Sequence, residues 1–494
     1  MKVYLEGHRY EYEIENMIHL FFTNKKIEFI YDKYQLNETD IFISSILKNT
    51  GGQISVSTRI VLNGDVKENN IIQKYDSSMS PDEYSKLCKS AVKLSFYRAA
   101  KQVSPVNVPW GTLTGIRPTK IVHSLIQEGR SDKEIEKILL EQYEVSTEKA
   151  KLALDVAYNE LKILKQSQPN SIGLYIGIPF CPTRCLYCSF VSNSVQRAQK
   201  FIEPYMEALI REIQHTGTII NNMGWQVESI YIGGGTPTVL TPVFLEKLLS
   251  AVCAHINLQS VKEFTVEAGR PDTIDQEKLR IIKKYGASRL SINPQTMNLS
   301  TLQTIGRCHM PEDIVKSFGM ARSLGFGNIN MDVIAGLPDE TVDMYKNTLI
   351  QVQELDPESV TVHTMSIKRA SRLNEKIDEY TITQANAVQD MLLFTQQFMR
   401  EHNKYPYYMY RQKNILGNLE NVGYCKPNFE CIYNVQIMEE KQSIIAVGCG
   451  AVTKMVNLEN NRIERIFNVK DVEEYIKRID EMLIRKNKIY EYFS

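Results

Sequence analysis

The feature that most restricts the fold of this chain is a regular alternation of short β-rich runs with longer helical runs between about residues 170 and 366. The short runs have the length and β-branched content of buried strands, and the segments between them carry apolar residues three and four positions apart, as amphipathic helices do. Alternation of this kind predicts a parallel sheet covered by helices, and therefore an α/β fold. The predicted strands are 172–178, 229–232, 263–268, 289–293, 328–334 and 359–364. The predicted helices are 198–215, 242–255, 276–284, 311–324 and 342–354.

The remaining sequence predicts two further regions on either side of this core. Residues 1–165 are expected to form an α+β accessory domain with a strand-turn-strand opening, and the core is expected to span 166–370. Residues 371–494 are expected to form a mixed C-terminal region that covers the active site. Predicted helices in these regions are 81–101, 119–127, 132–143, a longer one that ends near Lys165, 384–401 and 472–485.

Three cysteines with the spacing CxxxCxxC follow the first predicted strand. Cys181, Cys185 and Cys188 offer three thiolates from one short loop. A 4Fe-4S cluster needs a ligand on each of four irons, so three cysteines leave one iron open to another ligand, which favours chemistry over electron storage. Zinc is the alternative. It needs four ligands, and the isolated Cys425 and Cys431 are candidates for the fourth.

Further unusual residues follow the next strands. The glycine-rich run 233–238 comes after the second strand, Glu267 ends the third, and Gln295 follows the fourth. In parallel α/β barrels the carboxyl ends of the strands meet at one face, which carries the site. We therefore expect these residues to lie beside the cysteine loop.

Charge and apolar patterning exclude several classes of protein. The 58 basic and 58 acidic side chains of the 494 residues cancel, so no net field attracts nucleic acid or an anionic membrane. The charged N-terminus lacks a signal peptide, and no segment approaches the roughly 18 apolar residues of a membrane span. Nine cysteines, three of them clustered, indicate a reducing compartment and a metal site. The sequence thus predicts a cytoplasmic enzyme.

Taken together, the motifs resemble those of the radical S-adenosylmethionine (SAM) superfamily. Within it, several phrases resemble the oxygen-independent coproporphyrinogen III oxidase group. Three others resemble its HemZ branch, related to HemN and HemW: Pro109-Trp-Gly-Thr-Leu-Thr-Gly115, Thr265-Val-Glu-Ala-Gly-Arg270 and His363-Thr-Met-Ser-Ile-Lys368. The resemblance implies a partial (β/α)6 TIM-type barrel of the radical SAM kind. The phrases that carry it are Ile178-Pro-Phe-Cys181, Gly233-Gly-Gly-Thr-Pro-Thr238, Ile305-Gly-Arg307 and Asp332-Val-Ile-Ala-Gly-Leu-Pro338.

The resemblance also implies roles for single residues. Cys181, Cys185 and Cys188 would bind a 4Fe-4S cluster. Tyr175 is the candidate catalytic residue and would lie beside a first SAM molecule, which Gly234 and Glu267 would contact. Val452 would close over its adenine from the C-terminal region. A second SAM would be held by Tyr187, Gly235, Thr236, Gln295, Arg307 and Asp332.

The activity implied is the anaerobic oxidative decarboxylation of two propionate side chains of coproporphyrinogen III, giving protoporphyrinogen IX. Flavodoxin or ferredoxin would supply electrons. Two alternatives come from related proteins: a non-catalytic heme chaperone, and a radical SAM enzyme that methylates heme or opens its ring. The characterised oxidases carry a fourth cysteine two residues past the third, where this chain has Phe190.

Overall fold

The structure is a computed structural model that describes residues 1–22, 25–32, 41–115, 117–190, 193–368, 370–412, 415–458 and 462–493. The chain forms two compact units. The first contains Met1–Leu154 and Gly417–Leu419, and the second contains Asp155–Leu416 and Glu420–Ser494. The division into three functional regions, with bounds at 165 and 370, remains a prediction.

The first unit contains a five-stranded sheet in the order β2-β1-β3-β4-β5. Strand β1 is parallel to β2 and β3, whereas β3, β4 and β5 form an antiparallel meander. The strands are β1 (Lys2–Glu6), β2 (Glu28–Ile30), β3 (Ile41–Asn49), β4 (Gln53–Leu62) and β5 (Asp65–Lys74). The helices that begin in this unit are α1 (Glu11–Phe21), α2 (Pro81–Ala100), α3 (Thr119–Gln127), α4 (Asp132–Tyr143) and α5 (Thr147–Leu164).

The predicted strand-turn-strand opening is wrong, because helix α1 directly follows β1. Its buried residues Ile14, Met17, Ile18 and Phe21 recur at spacings of three and four, which places them on one helix face. That face packs into the apolar core of the unit together with α2. The tyrosine-rich and isoleucine-rich composition favoured strands, but the spacing of the buried residues decided the outcome.

The second unit is built on an 11-stranded sheet in the order β14-β15-β13-β12-β11-β10-β9-β6-β16-β17-β18. Its central strands β6 and β9 to β13 are the predicted ones, and each is parallel to its neighbour along the chain. This confirms the predicted α/β fold. Its strands are β6 (Ser171–Ile178), β9 (Gln226–Gly234), β10 (Glu263–Glu267), β11 (Arg289–Ser291), β12 (Ile329–Ala335), β13 (Ser359–Thr364), β14 (Tyr405–Tyr410), β15 (Asn421–Cys425), β16 (Ile444–Val447), β17 (Val452–Asn457) and β18 (Arg462–Phe467). Strands β7 (Phe180–Cys181) and β8 (Asn193–Ser194) form a separate two-stranded sheet.

Helices follow the parallel strands as the periodicity predicts. The later helices α15 and α16 divide what the sequence suggested to be one helix over 472–485. The helices of this unit are α6 (Val195–Asn222), α7 (Pro242–His255), α8 (Gln276–Lys284), α9 (Leu299–Thr304), α10 (Pro311–Ser323), α11 (Val342–Glu354), α12 (Arg372–Glu375), α13 (Ala385–Glu401), α14 (Ile432–Glu439), α15 (Val472–Lys477), α16 (Ile479–Lys486) and α17 (Lys488–Phe493). None of the described helices is both long enough and apolar enough to cross a membrane.

The C-terminal segment extends both edges of the parallel strand set. Strand β15 pairs antiparallel with β13, and β14 pairs with β15. At the other edge, β16 runs parallel to β6, and β17 and β18 follow it in antiparallel order. Residues distant in sequence therefore reach the face where the parallel strands end.

Candidate active site

A cavity of about 440 Å³ lies at the carboxyl ends of the parallel strands. All but two of the predicted site residues line it. They are Cys181, Cys185, Tyr187, Cys188, Gly234, Gly235, Thr236, Glu267, Gln295, Arg307 and Asp332. The two others, Tyr175 and Val452, lie outside its described lining.

The cysteine loop forms one wall of the cavity. Cys181 ends β7, which pairs with β8, and its sulfur accepts a hydrogen bond from Thr236 Oγ1 at 3.6 Å. The backbone N–H of Leu186 donates to the carbonyl oxygen of Ile305 at 3.0 Å and so ties the loop to the segment that carries Arg307. None of the three cysteines forms a disulfide within the part of the chain that the structure describes, and burial raises the pKa of Cys188 to about 11.

The chemistry of the cysteine loop suits a multi-iron cluster. Its three thiols supply three of the four iron ligands that a 4Fe-4S cluster needs, one thiol to each iron. A single zinc ion would need a fourth protein ligand. Cys425 and Cys431, the candidate fourth zinc ligands, are buried away from the cavity lining, and Cys431 Sγ donates to Glu263 Oε1 at 3.2 Å. The donor set therefore fits a 4Fe-4S cluster and not the zinc alternative.

The glycine-rich turn packs directly against this loop. A Cβ at Gly235 would lie 2.4 Å from the carbonyl oxygen of Phe180, so no larger residue fits there. Gly234 has a φ of +105°, a conformation that L side chains rarely adopt. The N–H of Gly235 donates to the carbonyl of Ile178 at 2.7 Å, which joins the ends of β6 and β9. The turn needs glycine for its own geometry as well as for any ligand contact.

Glu267 lies at the end of β10 with two intramolecular donors. Its Oε1 accepts from the Tyr231 hydroxyl at 2.5 Å, and its Oε2 accepts from the Gly234 N–H at 3.2 Å. Burial raises the pKa of Glu267 to about 7, and the charge of Asp332 adds to the rise, while the two hydrogen bonds oppose it. The carboxyl group therefore changes charge near neutral pH.

Tyr175 stands behind Glu267 in a stack of aromatic rings. Its ring centroid is 6.3 Å from that of Tyr231 and 6.1 Å from that of Tyr433, with the ring planes nearly parallel. Burial raises its pKa above the ordinary tyrosine value. Tyr175 thus supports the Gly234 and Glu267 side of the cavity from the rear.

Asp332, on β12, faces a histidine that the sequence did not single out. His363 Nε2 lies 3.6 Å from Asp332 Oδ2, and His363 Nδ1 lies 3.2 Å from the Tyr410 hydroxyl. Burial acts to raise the pKa of Asp332, but His363 and hydrogen bonds from Asn330 and Thr361 outweigh it, so the pKa lies below its usual value. Asp332 is therefore held as an anion within the cavity.

Arg307 and Gln295 present polar atoms to the cavity that the described part of the protein leaves unpaired. Arg307 Nη1 donates to the carbonyl oxygen of Asn293 at 2.5 Å, whereas its Nε has no partner there. Gln295 has a φ of +68°, and its Oε1 is likewise buried without a partner. A buried donor and a buried acceptor of this kind cost free energy unless a ligand satisfies them. The pair thus favours a polar ligand in the cavity.

The cavity also contains residues that sequence reasoning missed. His363 and Lys368 come from the sixth parallel strand and the segment after it, a position that could have identified them. Tyr410 reaches the cavity on β14 through the antiparallel pairing of β14 with β15. The lining residues outside the predicted set include Phe190, Arg270, Asn293, His363, Lys368 and Tyr410.

The chain was compared with known proteins. The family model of the radical SAM superfamily matches residues 175–351. The oxygen-independent coproporphyrinogen-III oxidase-like protein HemZ of Bacillus subtilis is 36% identical over 501 residues, covering 99% of this chain and 98% of that protein. The heme chaperone HemW of Lactococcus lactis is 28% identical, covering 66% of this chain and 80% of that protein.

The fold of the chain also resembles that of a solved structure. The coproporphyrinogen III oxidase HemN of Escherichia coli, a radical SAM enzyme, aligns with a TM-score of 0.50 at 22% identity, covering 66% of this chain and 73% of that chain. Similarity at this level of identity supports a common fold.

Proposed function

Because this chain belongs to the radical SAM superfamily, in the group that contains the HemZ, HemW and HemN proteins, we propose that it decarboxylates coproporphyrinogen III oxidatively and anaerobically to protoporphyrinogen IX. Two propionate side chains would become vinyl groups. Each would lose a hydrogen atom to the SAM-derived radical, then carbon dioxide, and one electron to an external one-electron acceptor. The observation that carries the proposal is that one cavity joins the three-cysteine loop to Glu267, Gln295, Arg307 and Asp332.

In this proposal the chain's own residues bind the cofactors and shield the reaction. Cys181, Cys185 and Cys188 hold the cluster, and Gly234 and Glu267 contact SAM, with Tyr175 beside them as the candidate catalytic residue. When bound, the cluster and SAM supply the radical that abstracts hydrogen, and flavodoxin or ferredoxin supplies the electron that starts the reaction. The cavity walls keep solvent from the reacting carbon. Val452 closes over the adenine.

A second set of polar residues in the same cavity is proposed to hold a second SAM molecule. Arg307 offers an unpaired N–H for a carboxylate, Gln295 offers an unpaired carbonyl oxygen, and Asp332 offers an anion for an ammonium group. The rest of this proposed set is Tyr187, Gly235 and Thr236, which line the same cavity.

Two observations support the oxidase over a heme chaperone. The similarity to the oxidase-like protein HemZ extends over 99% of this chain, whereas the similarity to HemW of Lactococcus lactis covers 66%. The unpaired atoms of Arg307 and Gln295 also suit a polar cofactor inside the cavity. The chaperone remains the second candidate because several of the relatives carry that name. A heme-methylating or ring-opening enzyme is the third.

The test is an anaerobic reaction of the reconstituted protein with dithionite, SAM and either coproporphyrinogen III or heme. We expect mass spectrometry to show the loss of two carboxyl groups from coproporphyrinogen III, with 5′-deoxyadenosine formed in step. Cys185→Ala should abolish both products, whereas Cys253→Ala, a cysteine on α7 outside the cavity lining, should leave both unchanged.

The competing functions predict different products. Heme that is bound in stoichiometric amounts without turnover would identify a chaperone. Heme that gains methyl groups, or whose macrocycle is opened, would identify the heme-modifying enzyme. Either result, with coproporphyrinogen III unchanged, would refute the oxidase proposal.

A further inference from the structure

The cationic side chains that line the cavity differ in how the protein already uses them. Arg270 is buried and forms a two-pronged ion pair with Asp272, at 3.0 Å from Nε to Oδ1 and 2.8 Å from Nη2 to Oδ2. Arg307 donates to backbone carbonyls. His363 lies between Asp332 and Tyr410. Each of these groups has much of its hydrogen-bonding capacity committed within the protein.

Lys368 is the exception among the cavity's cations. Its side chain lines the cavity and is partly buried, yet no carboxylate of the described residues forms an ion pair with its ammonium group, and no described acceptor takes a hydrogen bond from it. Burial lowers the pKa of Lys368, because partial desolvation destabilises the charged ammonium group. A bound anion would supply a counter-ion.

The backbone at Lys368 is anchored by its neighbours. Its carbonyl oxygen accepts from the N–H of Ser371 at 2.9 Å and from the Ser371 hydroxyl at 2.7 Å. Ser371 in turn caps α12, since its hydroxyl accepts from the N–H of Asn374 at 3.3 Å. The backbone of Lys368 is therefore held in place beside the cavity that the residue lines.

An apolar group belongs to the same cavity. The ring of Phe190 lines it and is 69% exposed, although a phenylalanine is normally buried. It lies two residues after Cys188, so the exposed ring borders the cysteine loop. The cavity thus pairs an exposed aromatic face with an unpaired ammonium, which suits a ligand that has both a large apolar surface and carboxylate groups.

We propose that Lys368 binds a propionate carboxylate of the tetrapyrrole and that Phe190 packs against its macrocycle. The inference rests on the proposed function for the nature of the ligand and assigns two substrate-binding residues to it. A half-buried ammonium–carboxylate pair is a charge-assisted hydrogen bond, and its loss should weaken binding about tenfold. The methionine carboxylate of SAM is the other carboxylate that reaches this cavity, and the experiment separates the two.

The experiment measures binding of coproporphyrin III and of its tetramethyl ester to the reconstituted protein, both in the same neutral detergent, by the shift of the porphyrin absorption band. For Lys368→Gln we expect about tenfold weaker binding of coproporphyrin III and less than about threefold for the ester, which carries no negative charge. Lys368→Arg should restore most of the affinity. Phe190→Ala should weaken both ligands alike, by about fivefold.

Lys316→Gln is the matched control, because Lys316 is exposed on α10 and outside the cavity lining. It should change neither affinity. Equal binding of coproporphyrin III by Lys368→Gln and the wild type would overturn the inference. So would a loss confined to SAM binding. Because binding is measured without turnover, a wild type that shows this charge-dependent binding but no decarboxylation would refute the proposed function and leave the role of Lys368 intact.

Discussion

At the scale of single residues, the pKa of Glu267 predicts how the affinity for SAM depends on pH. Its carboxyl group, with a pKa of about 7 before any ligand binds, is mostly protonated at pH 6 and mostly ionised at pH 8. Only the ionised form accepts hydrogen bonds on all its lone pairs from ribose hydroxyls or an ammonium. If Glu267 contacts SAM, affinity should rise about tenfold between pH 6 and pH 8, in proportion to the ionised fraction. Equilibrium binding of SAM to the reconstituted protein measures this.

Two variants separate this effect from the titration of SAM itself. Glu267→Gln should bind SAM more weakly than the wild type at pH 8. The ratio of wild-type to variant affinity should therefore be larger at pH 8 than at pH 6. Tyr231→Phe removes the hydrogen bond that lowers the pKa of Glu267, so its affinity curve should move to higher pH. A constant ratio of wild-type to Glu267→Gln affinity across this range would contradict the assignment.

At the scale of elements, helix α14 depends on a carboxylate from a distant strand. Glu263, the first residue of β10, accepts from the N–H of Ile432 at 2.8 Å and from the N–H of Tyr433 at 3.4 Å. An anion at a helix N-terminus accepts hydrogen bonds from the free N–H groups and interacts favourably with the positive end of the helix dipole. The helix in turn places Tyr433 against Tyr231, with ring centroids 4.6 Å apart. The cap thus connects the parallel sheet with the aromatic stack behind Glu267.

We expect Glu263→Ala to lower the free energy of unfolding by about 3 kcal/mol, because it leaves three donors unpaired, one buried and two partly buried. A local cap provides the comparison. Asp275 accepts from the N–H of Lys278 at 2.8 Å at the start of α8, and Asp275→Ala should cost about 1 kcal/mol. Urea unfolding of both variants measures the difference. Equal costs would show that the carboxylate of Glu263 adds nothing beyond an ordinary cap.

At the scale of the second unit, a buried ion pair fastens the C-terminal segment to helix α6 of the α/β core. Lys486 on α16 lies 3.1 Å from Glu212 on α6, and both side chains are fully buried. Glu212 also accepts from the Tyr475 hydroxyl at 2.6 Å and from the N–H of Gly448 at 2.8 Å. Lys486 donates to the carbonyl oxygen of Ala446. The network thus orients the turn that precedes Val452.

Removing one partner leaves the other charge buried alone, so Lys486→Met should destabilise the protein by about 3 kcal/mol or more. The double variant Glu212→Gln with Lys486→Met should cost less than the sum of its two single changes. Arg211 and Asp480 join the same two helices at 2.5 Å on the surface, and Arg211→Met should cost under about 1 kcal/mol. Similar losses for Lys486→Met and Arg211→Met in urea unfolding would contradict this account.

Whether a feature could be predicted from the sequence depends on how far apart in the chain its interacting residues lie. The parallel strands and their helices were predictable, because each buries its own periodic apolar face and that period is written in neighbouring residues. The cysteine loop was predictable for the same reason, since its three ligands lie within eight residues. Helix α1 was not predicted, because the composition of its segment favours strands, although Ile14, Met17 and Phe21 recur at the spacing of one helix face.

The sequence by itself determined the parallel α/β core, the order of its strands and the loop that carries the three cysteines. Tertiary structure alone decided the rest: the contacts of His363 with Asp332 and Tyr410, the cap that Glu263 gives α14, and the pairing of Glu212 with Lys486. These contacts join residues between 31 and 274 positions apart. In a sequence, a carboxylate or a lysine is expected to be exposed to solvent, because nothing nearby indicates its partner. These side chains become buried and paired only when the sheet brings its strand ends and the C-terminal segment together.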